Sequence, residues 1–457
     1  MIQEPIRKKI AYFDTFLMLS ASFLYFLRVP TGLSLLWPRA IVAALLVIRY
    51  LPVMSKSYKL PAWIFTIVGI SLLVWKQAPP EEWAKALNSM LQSVAIVSVM
   101  QTLSISMGAG NFNDAVSAFL RRHAGNQGVL YCMIETFSHF LCSILNLGEV
   151  IIVLGSINES ISDQIDDFKR YISSAISRGH CTAFLWAPGS VTVLLTLQIF
   201  GIEWTEYFLP AFSVAALGLI LAGGSQYFKL RDKRFLISEE AVAPDTNRKV
   251  LTLCMIIVVI IVGISTLGSF FPNATGSEIM VFDVTIVSAV WLLTQRKKTA
   301  MQSELRRFAV KTLPAMGSLN AFFVTMGLFS EGLQYAGFDI ILEDSTEAFR
   351  QMPCIIILLL LPLIIIAFSM IGIHPMVSLA VLGPVMIQLV GNASVMQLAL
   401  STAMGCCLAY MISPFAGLIL LLSQLLGLPP KKVALEYNFM HALIYYIIGT
   451  AAIYFCF

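Results

Sequence analysis

Charge is scarce in this chain. Only 12% of its 457 residues are Asp, Glu, Lys or Arg, whereas an average soluble domain has about 25%. Apolar residues make up 58% of the sequence, and they are grouped in long runs. This combination excludes an ordinary soluble globular protein and indicates a chain that crosses a lipid bilayer several times.

Motifs of intramembrane enzymes and of metal centres are also missing. The sequence contains no HExxH or GxSxG, and no pair of aspartates inside an apolar segment. Its eight cysteines include no CxxC pair, and nearly all of them fall in apolar segments, where cysteine is a small buried residue. We therefore expect no enzyme, no catalytic residue, no bound metal and no cofactor.

What the chain has instead is a series of apolar segments. The runs that have the length of about 20 residues needed to span a membrane lie near 11–29, 34–54, 60–76, 88–108, 205–226, 249–269, 277–295, 308–330 and 431–457. Four further stretches, 128–157, 170–202, 353–390 and 394–427, are too long for one span and are interrupted by polar residues, Gly or Pro. The sequence thus predicts an all-α polytopic membrane protein with about 11 transmembrane helices and two re-entrant hairpins.

Two residue patterns occur twice in the same order and spacing. The first comprises His139, Ser143, Leu147 and Gly148 and returns as His374, Ser378, Leu382 and Gly383. The second comprises Pro188, Leu194, Leu195, Gln198 and Gly201 and returns as Pro414, Leu420, Leu421, Gln424 and Gly427. Polar residues, Gly and Pro at matching points of two apolar halves indicate a transporter whose binding site lies where two repeats meet.

The placement of basic residues supports this division. If 128–157 and 353–390 enter the membrane and return to the side they left, most of the 30 Lys and Arg residues fall on the side of the N-terminus, which is then cytoplasmic. We predict an extra N-terminal helix (1–33), a first repeat (34–228), a cytoplasmic linker (229–248) and a second repeat (249–457). Each repeat crosses the membrane an odd number of times, so the second is inverted and the C-terminus lies outside.

Each repeat has the same internal order. Three spanning helices are followed by an amphipathic surface helix (112–123 or 340–350), a hairpin (128–157 or 353–390), a broken helix (170–202 or 394–427) and a closing helix. This order resembles the ion transporter superfamily, which includes divalent anion–sodium symporters, citrate carriers and the membrane subunits of tripartite dicarboxylate transporters. The resemblance implies an elevator mechanism, in which outer scaffold helices form a homodimer and hold a moving unit of hairpins and broken helices.

The interruptions of the two broken helices are the strongest site candidates. They read Ala187-Pro188-Gly189-Ser190 and Ser413-Pro414-Phe415-Ala416-Gly417. A break at membrane depth exposes backbone groups that hydrocarbon cannot satisfy, so it must face protein, water, an ion or a solute. Proline stops the first half-helix, and the second half-helix directs its partially positive N-terminus at the gap. A plain proline kink is the alternative.

The hairpin residues are candidates of a second kind. We expect Ser143, Asn146, Gly148, Ser378 and Gly383 near the turns, where hydroxyls and closely approaching backbone bind an ion or an anion. The serines have an alternative role, a hydrogen bond to their own helix backbone. His139 and His374 lie one helical turn before the serines and are either proton carriers or internal hydrogen-bonding residues.

Charged and amide groups inside the apolar segments complete the candidates. Arg178 lies well inside a span, where a charge must be paired or hydrated. It either binds an anionic solute or pairs with Glu149 or Glu135 of the neighbouring hairpin. We interpret Asp283 as an acid that is capped near the outer interface and is not part of a proton relay, and Gln198 and Gln424 as helix-packing residues.

Together these patterns predict a secondary active transporter of the inner or plasma membrane. The two helix N-termini and Arg178 favour a small anionic solute such as a carboxylate. Hairpin hydroxyls favour sodium as the coupling ion, whereas His and Glu favour protons. The alternative on the same fold is a transporter or flippase of an amphiphilic or lipid-linked phosphate. We expect no nucleic-acid partner.

Overall fold

The computed structural model describes residues 4–54, 56–145, 147–157, 159–235, 245–295, 298–337, 352–387 and 393–457. Within these ranges the chain is helical and contains no β-strand. Ten of the described helical segments are long and apolar enough to cross a membrane. The prediction of an all-α polytopic membrane protein is confirmed.

The chain divides into two compact units, and each of them combines segments from both halves of the sequence. Unit 1 comprises Met1–Gly110 and Ile256–Glu347, and unit 2 comprises Asn111–Met255 and Ala348–Phe457. The helices of unit 1 are α1 (Glu4–Thr31), α2 (Leu36–Tyr50), α3 (Lys56–Trp75), α4 (Pro80–Asn88), α5 (Leu91–Met100), α6 (Leu103–Ala109), most of α14 (Thr246–Phe270), α15 (Gly276–Thr294), α16 (Lys298–Arg307) and α17 (Gly317–Ala336).

Unit 2 contains the predicted hairpins and broken helices. Its helices are α7 (Phe112–His123), α8 (Gln127–Leu145), α9 (Gly148–Gly155), α10 (Glu159–Ser162), α11 (Phe168–Ala183), α12 (Val191–Phe200), α13 (Trp204–Leu230), α18 (Cys354–Met370), α19 (Pro375–Ile387), α20 (Val395–Ile412), α21 (Gly417–Leu426) and α22 (Tyr437–Cys456). The amphipathic helix predicted over 340–350 lies outside the described residues.

Local sequence signals set several helix ends. Ser394 begins α20 with a capping box, in which its hydroxyl accepts from the Gln397 backbone N–H while the Gln397 side chain accepts from Ser394 N–H. Gly201 and Gly427, equivalent positions in the repeated pattern, end α12 and α21 with the same left-handed φ of +63°. Glycine adopts that conformation without the Cβ penalty that other residues incur.

A second capping box begins α15, the helix that carries Asp283. The Thr275 hydroxyl and the Glu278 side chain cap α15 at its N-terminus. Asp283 lies two turns further into that helix and is 4% exposed. Its Oδ1 is 2.0 Å from the point that a Cβ on Gly263 of α14 would occupy. Asp283 is therefore a buried acid packed on a glycine, and its Oδ2 has no hydrogen-bond partner among the described residues.

The hairpins of unit 2 are packed by close backbone approaches. α8 runs along α11 and α13, and a Cβ on Gly179 of α11 would lie 2.1 Å from the Glu135 carbonyl oxygen of α8. In the second half, a Cβ on Gly405 of α20 would lie 2.6 Å from Pro362 Cα of α18. Glycine at these two crossings lets backbone meet backbone, as is common where membrane helices pack.

Candidate functional site

Unit 2 brings both helix interruptions together with both hairpin turns. α11 ends at Ala183 and α12 begins at Val191, while α20 ends at Ile412 and α21 begins at Gly417. The Phe184 ring, at the first interruption, packs edge-on against Tyr410 beside the second, with ring centroids 4.9 Å apart. We refer to these two interruptions and the two hairpin turns as the tip site.

The turn of the first hairpin meets the second interruption. Leu147 Cδ1 lies 3.8 Å from the point that a Cβ on Gly417 would occupy, so the turn between α8 and α9 touches the first residue of α21. Leu147 is 38% exposed. Phe415, which lies in the second interruption two residues before Gly417, is 57% exposed. This part of the tip site is open at the surface of unit 2 and is apolar.

The turn of the second hairpin reaches the same interruption by a hydrogen bond. Ser413 Oγ donates to the Ser369 carbonyl oxygen at 2.7 Å and accepts from the Phe415 backbone N–H at 3.2 Å. Gly372, with φ of +91°, forms the turn, and the His374 ring packs edge-on against Tyr410. The second interruption is thus fastened to the end of α18.

The turn of the second hairpin is not where the sequence pattern predicts it. The chain reverses between Met370, the last residue of α18, and Pro375, the first of α19. Ser378 consequently lies in the first turn of α19, near the reversal, whereas Gly383 lies about two turns into that helix and farther from it. The physical reason is Gly372, whose left-handed backbone allows the reversal before the repeated pattern begins.

Both half-helices present bare N-termini. Neither Ser190, which precedes α12, nor Ala416, which precedes α21, provides a side-chain cap among the described residues. The first N–H groups of an α-helix have no partner within the helix, and the helix dipole adds about half a positive charge at that end. Both ends therefore suit an anion. Pro188 and Pro414 are buried, and Gly189 is half-buried.

Two buried hydroxyls of the predicted site residues have no hydrogen-bond partner among the described residues. Ser190 Oγ is one, at the start of α12, and Ser378 Oγ is the other, in α19. Helices α12 and α19 pack on each other, and a Cβ on Gly383 would meet the Ile199 side chain at 2.8 Å. Because a buried hydroxyl without a partner is costly, these serines are better ligand candidates than Ser143, whose hydroxyl donates to Phe140 O at 2.7 Å.

Two predicted site residues of the first hairpin, Gly148 and Asn146, remain to be located. Gly148 is exposed and begins α9, next to the turn. Asn146 lies outside the described residues.

A buried acid and a buried histidine form a pair close to the first turn. Glu149 Oε1 lies 2.9 Å from His180 Nδ1, and both side chains are 0% exposed. His180 Nε2 has no hydrogen-bond partner among the described residues, and the His180 ring packs edge-on against Phe184. The pair therefore connects α9 to α11 within the last turn of α11, next to the first interruption.

His139 is an internal hydrogen-bonding residue. Trp186 Nε1–H, which is only a donor, donates to His139 Nε2 at 2.9 Å. The ring proton is therefore on Nδ1, which lies 3.0 Å from Thr182 Oγ1 and 3.2 Å from Gly179 O. Both nitrogens are used, so His139 fixes Trp186 next to the interruption. Its counterpart His374 lies in a turn, because the two hairpins reverse at different points of the pattern.

Arg178 is held by neutral groups instead of an acid. Its Nε donates to Asn438 Oδ1 at 3.2 Å, Nη1 to Tyr131 Oη at 3.1 Å and Nη2 to Tyr437 O at 2.9 Å. Within the described part of the chain it forms no ion pair with Glu149 or Glu135. His180 takes Glu149, whereas the charge of Arg178 acts on Glu135 over a longer distance than that of a direct ion pair.

His180 and Tyr410 are the residues of the tip site that the sequence interpretation missed. The repeated pattern directs attention to residues that recur, and the position equivalent to His180 in the second repeat is Cys406. The available signal was a histidine inside an apolar segment of a chain with five histidines. No group of three or more His, Cys, Asp or Glu side chains within the described ranges is arranged to hold a metal ion.

Comparison with protein-family models and with curated protein sequences finds no match. Two solved structures are similar in fold. The YdaH transporter of Alcanivorax borkumensis, described as having an unusual topology, matches 91% of this chain and 98% of its own with a TM-score of 0.58 and 14% sequence identity. MtrF of Neisseria gonorrhoeae, reported to illuminate a class of antimetabolite efflux pumps, matches 86% of this chain and 94% of its own with a TM-score of 0.51 and 10% identity.

This multi-pass membrane chain thus shares the fold of known membrane transporters.

Proposed function

We propose that the chain is a secondary active transporter that moves a small anionic solute by an elevator motion. The observation that carries this proposal is the presence, in one compact unit, of two uncapped half-helix N-termini together with two hairpin turns. Unit 2 is the moving body in this proposal and unit 1 is the scaffold, through which two copies of the chain associate.

The solute binds at the tip site. The N-terminal backbone groups of α12 and α21 attract its negative charge, and Ser190 and Ser378 offer the hydroxyls that have no described partner. A carboxylate meets these requirements because it accepts several hydrogen bonds from such donors. Arg178 takes no part in binding, since all three of its nitrogen groups are used inside the protein.

The test is transport by the purified chain in proteoliposomes. We expect accumulation of a labelled dicarboxylate, and we expect Ser190→Ala with Ser378→Ala to raise its KM at least tenfold. Ser143→Ala is the matched control, because its hydroxyl is bonded to its own helix, and it retains the wild-type KM. Loading the solute inside the vesicles tests the outward direction, which the similarity to an efflux pump suggests. Absence of dicarboxylate movement in both directions contradicts the proposal.

We propose protons as the coupling ion, carried by the Glu149–His180 pair. A histidine and a carboxyl group in contact pass a proton between them, and the pair gains one positive charge when it takes up the coupling proton. We expect Glu149→Gln and His180→Asn to retain solute exchange between equal concentrations but to lose uptake driven by a pH gradient. Asn is the suitable replacement because its amide nitrogen takes the place of Nδ1. His123→Asn changes an exposed histidine and serves as the control. If Glu149→Gln and His180→Asn both retain uptake driven by a sodium gradient, sodium is the coupling ion instead of protons.

An amphiphilic phosphate is the second candidate cargo. The exposed Phe415 and Leu147 side chains favour it, because they form an apolar surface beside the α21 N-terminus. A fluorescent lipid-linked phosphate in proteoliposomes distinguishes the two cargoes. Movement of that lipid between leaflets without dicarboxylate uptake selects the second candidate.

A further inference from the structure

A basic cleft lies in unit 1, which contains none of the groups proposed for transport. It forms where the first turns of α1 meet α16 and the wide π-helical turn Phe308–Thr312, and its volume is about 790 Å³. Four cationic side chains line it, together with hydroxyl groups; these residues are Lys8, Arg306, Arg307, Lys311, Thr299 and Ser303. Within the described ranges no acidic side chain lines the cleft.

The positive charge of the cleft is only partly balanced by its surroundings. Arg307 Nη1 lies 3.5 Å from Glu304 Oε2, on the same helix, and the Arg307 side chain is 65% exposed. Among the described residues, and without counting Lys8, this carboxylate stands against three cations, Arg306, Arg307 and Lys311, which leaves an excess of positive charge. Such an excess at an open cleft attracts an anion that carries more than one acceptor oxygen, as a phosphate does.

The cleft lies at the level of lipid headgroups. The apolar span of α1 begins at Lys8, and the segment from Lys298 to Ala336 is helical over 39 residues. At about 1.5 Å per residue this segment is roughly 58 Å long, whereas the hydrocarbon core is about 30 Å thick. The polar α16 is therefore outside the hydrocarbon, and the turn Phe308–Thr312 is close to its boundary.

An apolar cavity borders the same segment. Its volume is about 610 Å³, and Leu305, Phe308 and Ala309 contribute to its wall together with side chains of α1, α5, α6 and α15. Thr15 Oγ1 donates to the Ala309 carbonyl oxygen at 2.7 Å and holds the segment against α1. Residues 305–311 thus present cations to one cavity and apolar side chains to the other.

We propose that unit 1 binds an anionic phospholipid, with its phosphate in the basic cleft and an acyl chain in the apolar cavity. Basic pockets between membrane helices are the usual sites for such headgroups. A soluble phosphate explains the cations alone, but it leaves the adjoining apolar cavity without an occupant. The proposal does not depend on the identity of the transported solute or of the coupling ion.

The test is lipid binding by the full purified chain in detergent. Phosphatidylglycerol, phosphatidylcholine and inorganic phosphate are titrated while the melting temperature is recorded, and bound lipid is counted by native mass spectrometry. We expect phosphatidylglycerol alone to bind and to raise the melting temperature. The variant Arg306→Gln/Lys311→Gln is expected to need at least tenfold more of it, whereas Arg306→Lys/Lys311→Arg retains binding.

Controls separate the cleft from general attraction between charges. Lys229→Gln/Arg231→Gln removes the same charge from an exposed end of α13 and is expected to bind phosphatidylglycerol as the wild type does. Ala289→Trp, which fills the apolar cavity, is expected to weaken lipid binding with the cations intact. Wild-type affinity in Arg306→Gln/Lys311→Gln, or equal stabilisation by inorganic phosphate, overturns the proposal.

Discussion

The replacement of Arg178 by Lys tests whether this residue is structural. The guanidinium makes three hydrogen bonds, to Asn438, Tyr131 and Tyr437, and it is 6% exposed. A hydrogen bond to a charged group contributes about 1.5–3 kcal/mol. Lys keeps the charge but presents a single ammonium group, which cannot reproduce the planar arrangement of three donors. We expect the variant to lose about two of the bonds, and about 3–6 kcal/mol of the free energy of unfolding.

The assay is denaturant unfolding of the purified chain in detergent, followed by solute uptake at several concentrations. Arg170→Lys, at an exposed position on the same helix, is the matched control and is expected to leave stability unchanged. Arg178→Lys is expected to be less stable but to keep the wild-type KM in the molecules that remain folded. A variant as stable as the wild type that has lost solute binding would refute this reasoning, because Arg178 would then be a solute ligand.

Three further substitutions follow from the packing of unit 2. Gly179→Ala is expected to cost about 1–3 kcal/mol or more, since its Cβ meets a backbone oxygen at 2.1 Å; Gly224→Ala, whose Cβ has open space, leaves the melting temperature unchanged or raises it. Gly201→Ala is expected to lower the free energy of unfolding by about 1–2 kcal/mol, because alanine is strained at the left-handed φ of this position. An unchanged denaturant-unfolding curve contradicts the assigned helix cap. Pro188→Ala together with Pro414→Ala is expected to abolish uptake with normal membrane insertion, and uptake at the wild-type rate argues against the tip site.

The sequence was most informative about the broken helices. Pro188 and Pro414 recur with the same downstream glycine, and α12 and α21 both begin three residues after the proline and end on a glycine at +63°. A proline and a glycine act locally on the backbone, so their consequences can be predicted from the sequence. The apolar runs are also predictable, because a run of about 20 apolar residues has the length that a helix needs to span the bilayer.

The hydrogen-bond partners of the buried polar groups could not be predicted from neighbouring residues in the sequence. Arg178 binds Asn438, which is 260 residues away in the sequence, and no spacing rule connects the two. The turn of the second hairpin was misplaced because the repeated pattern suggested equal turns, whereas Gly372 reverses the chain earlier. Whether the predicted repeats are inverted across the membrane stays a prediction.

If unit 2 moves as proposed, the tip site becomes accessible from each side of the membrane in turn. The most direct measurement is labelling of Phe415→Cys, with the native cysteines replaced, by a membrane-impermeant thiol reagent applied separately to each face of oriented vesicles. We expect labelling from both faces. The transported solute is expected to raise the labelling rate from one face and to lower it from the other. Labelling from one face only, with or without solute and at every pH, would contradict it.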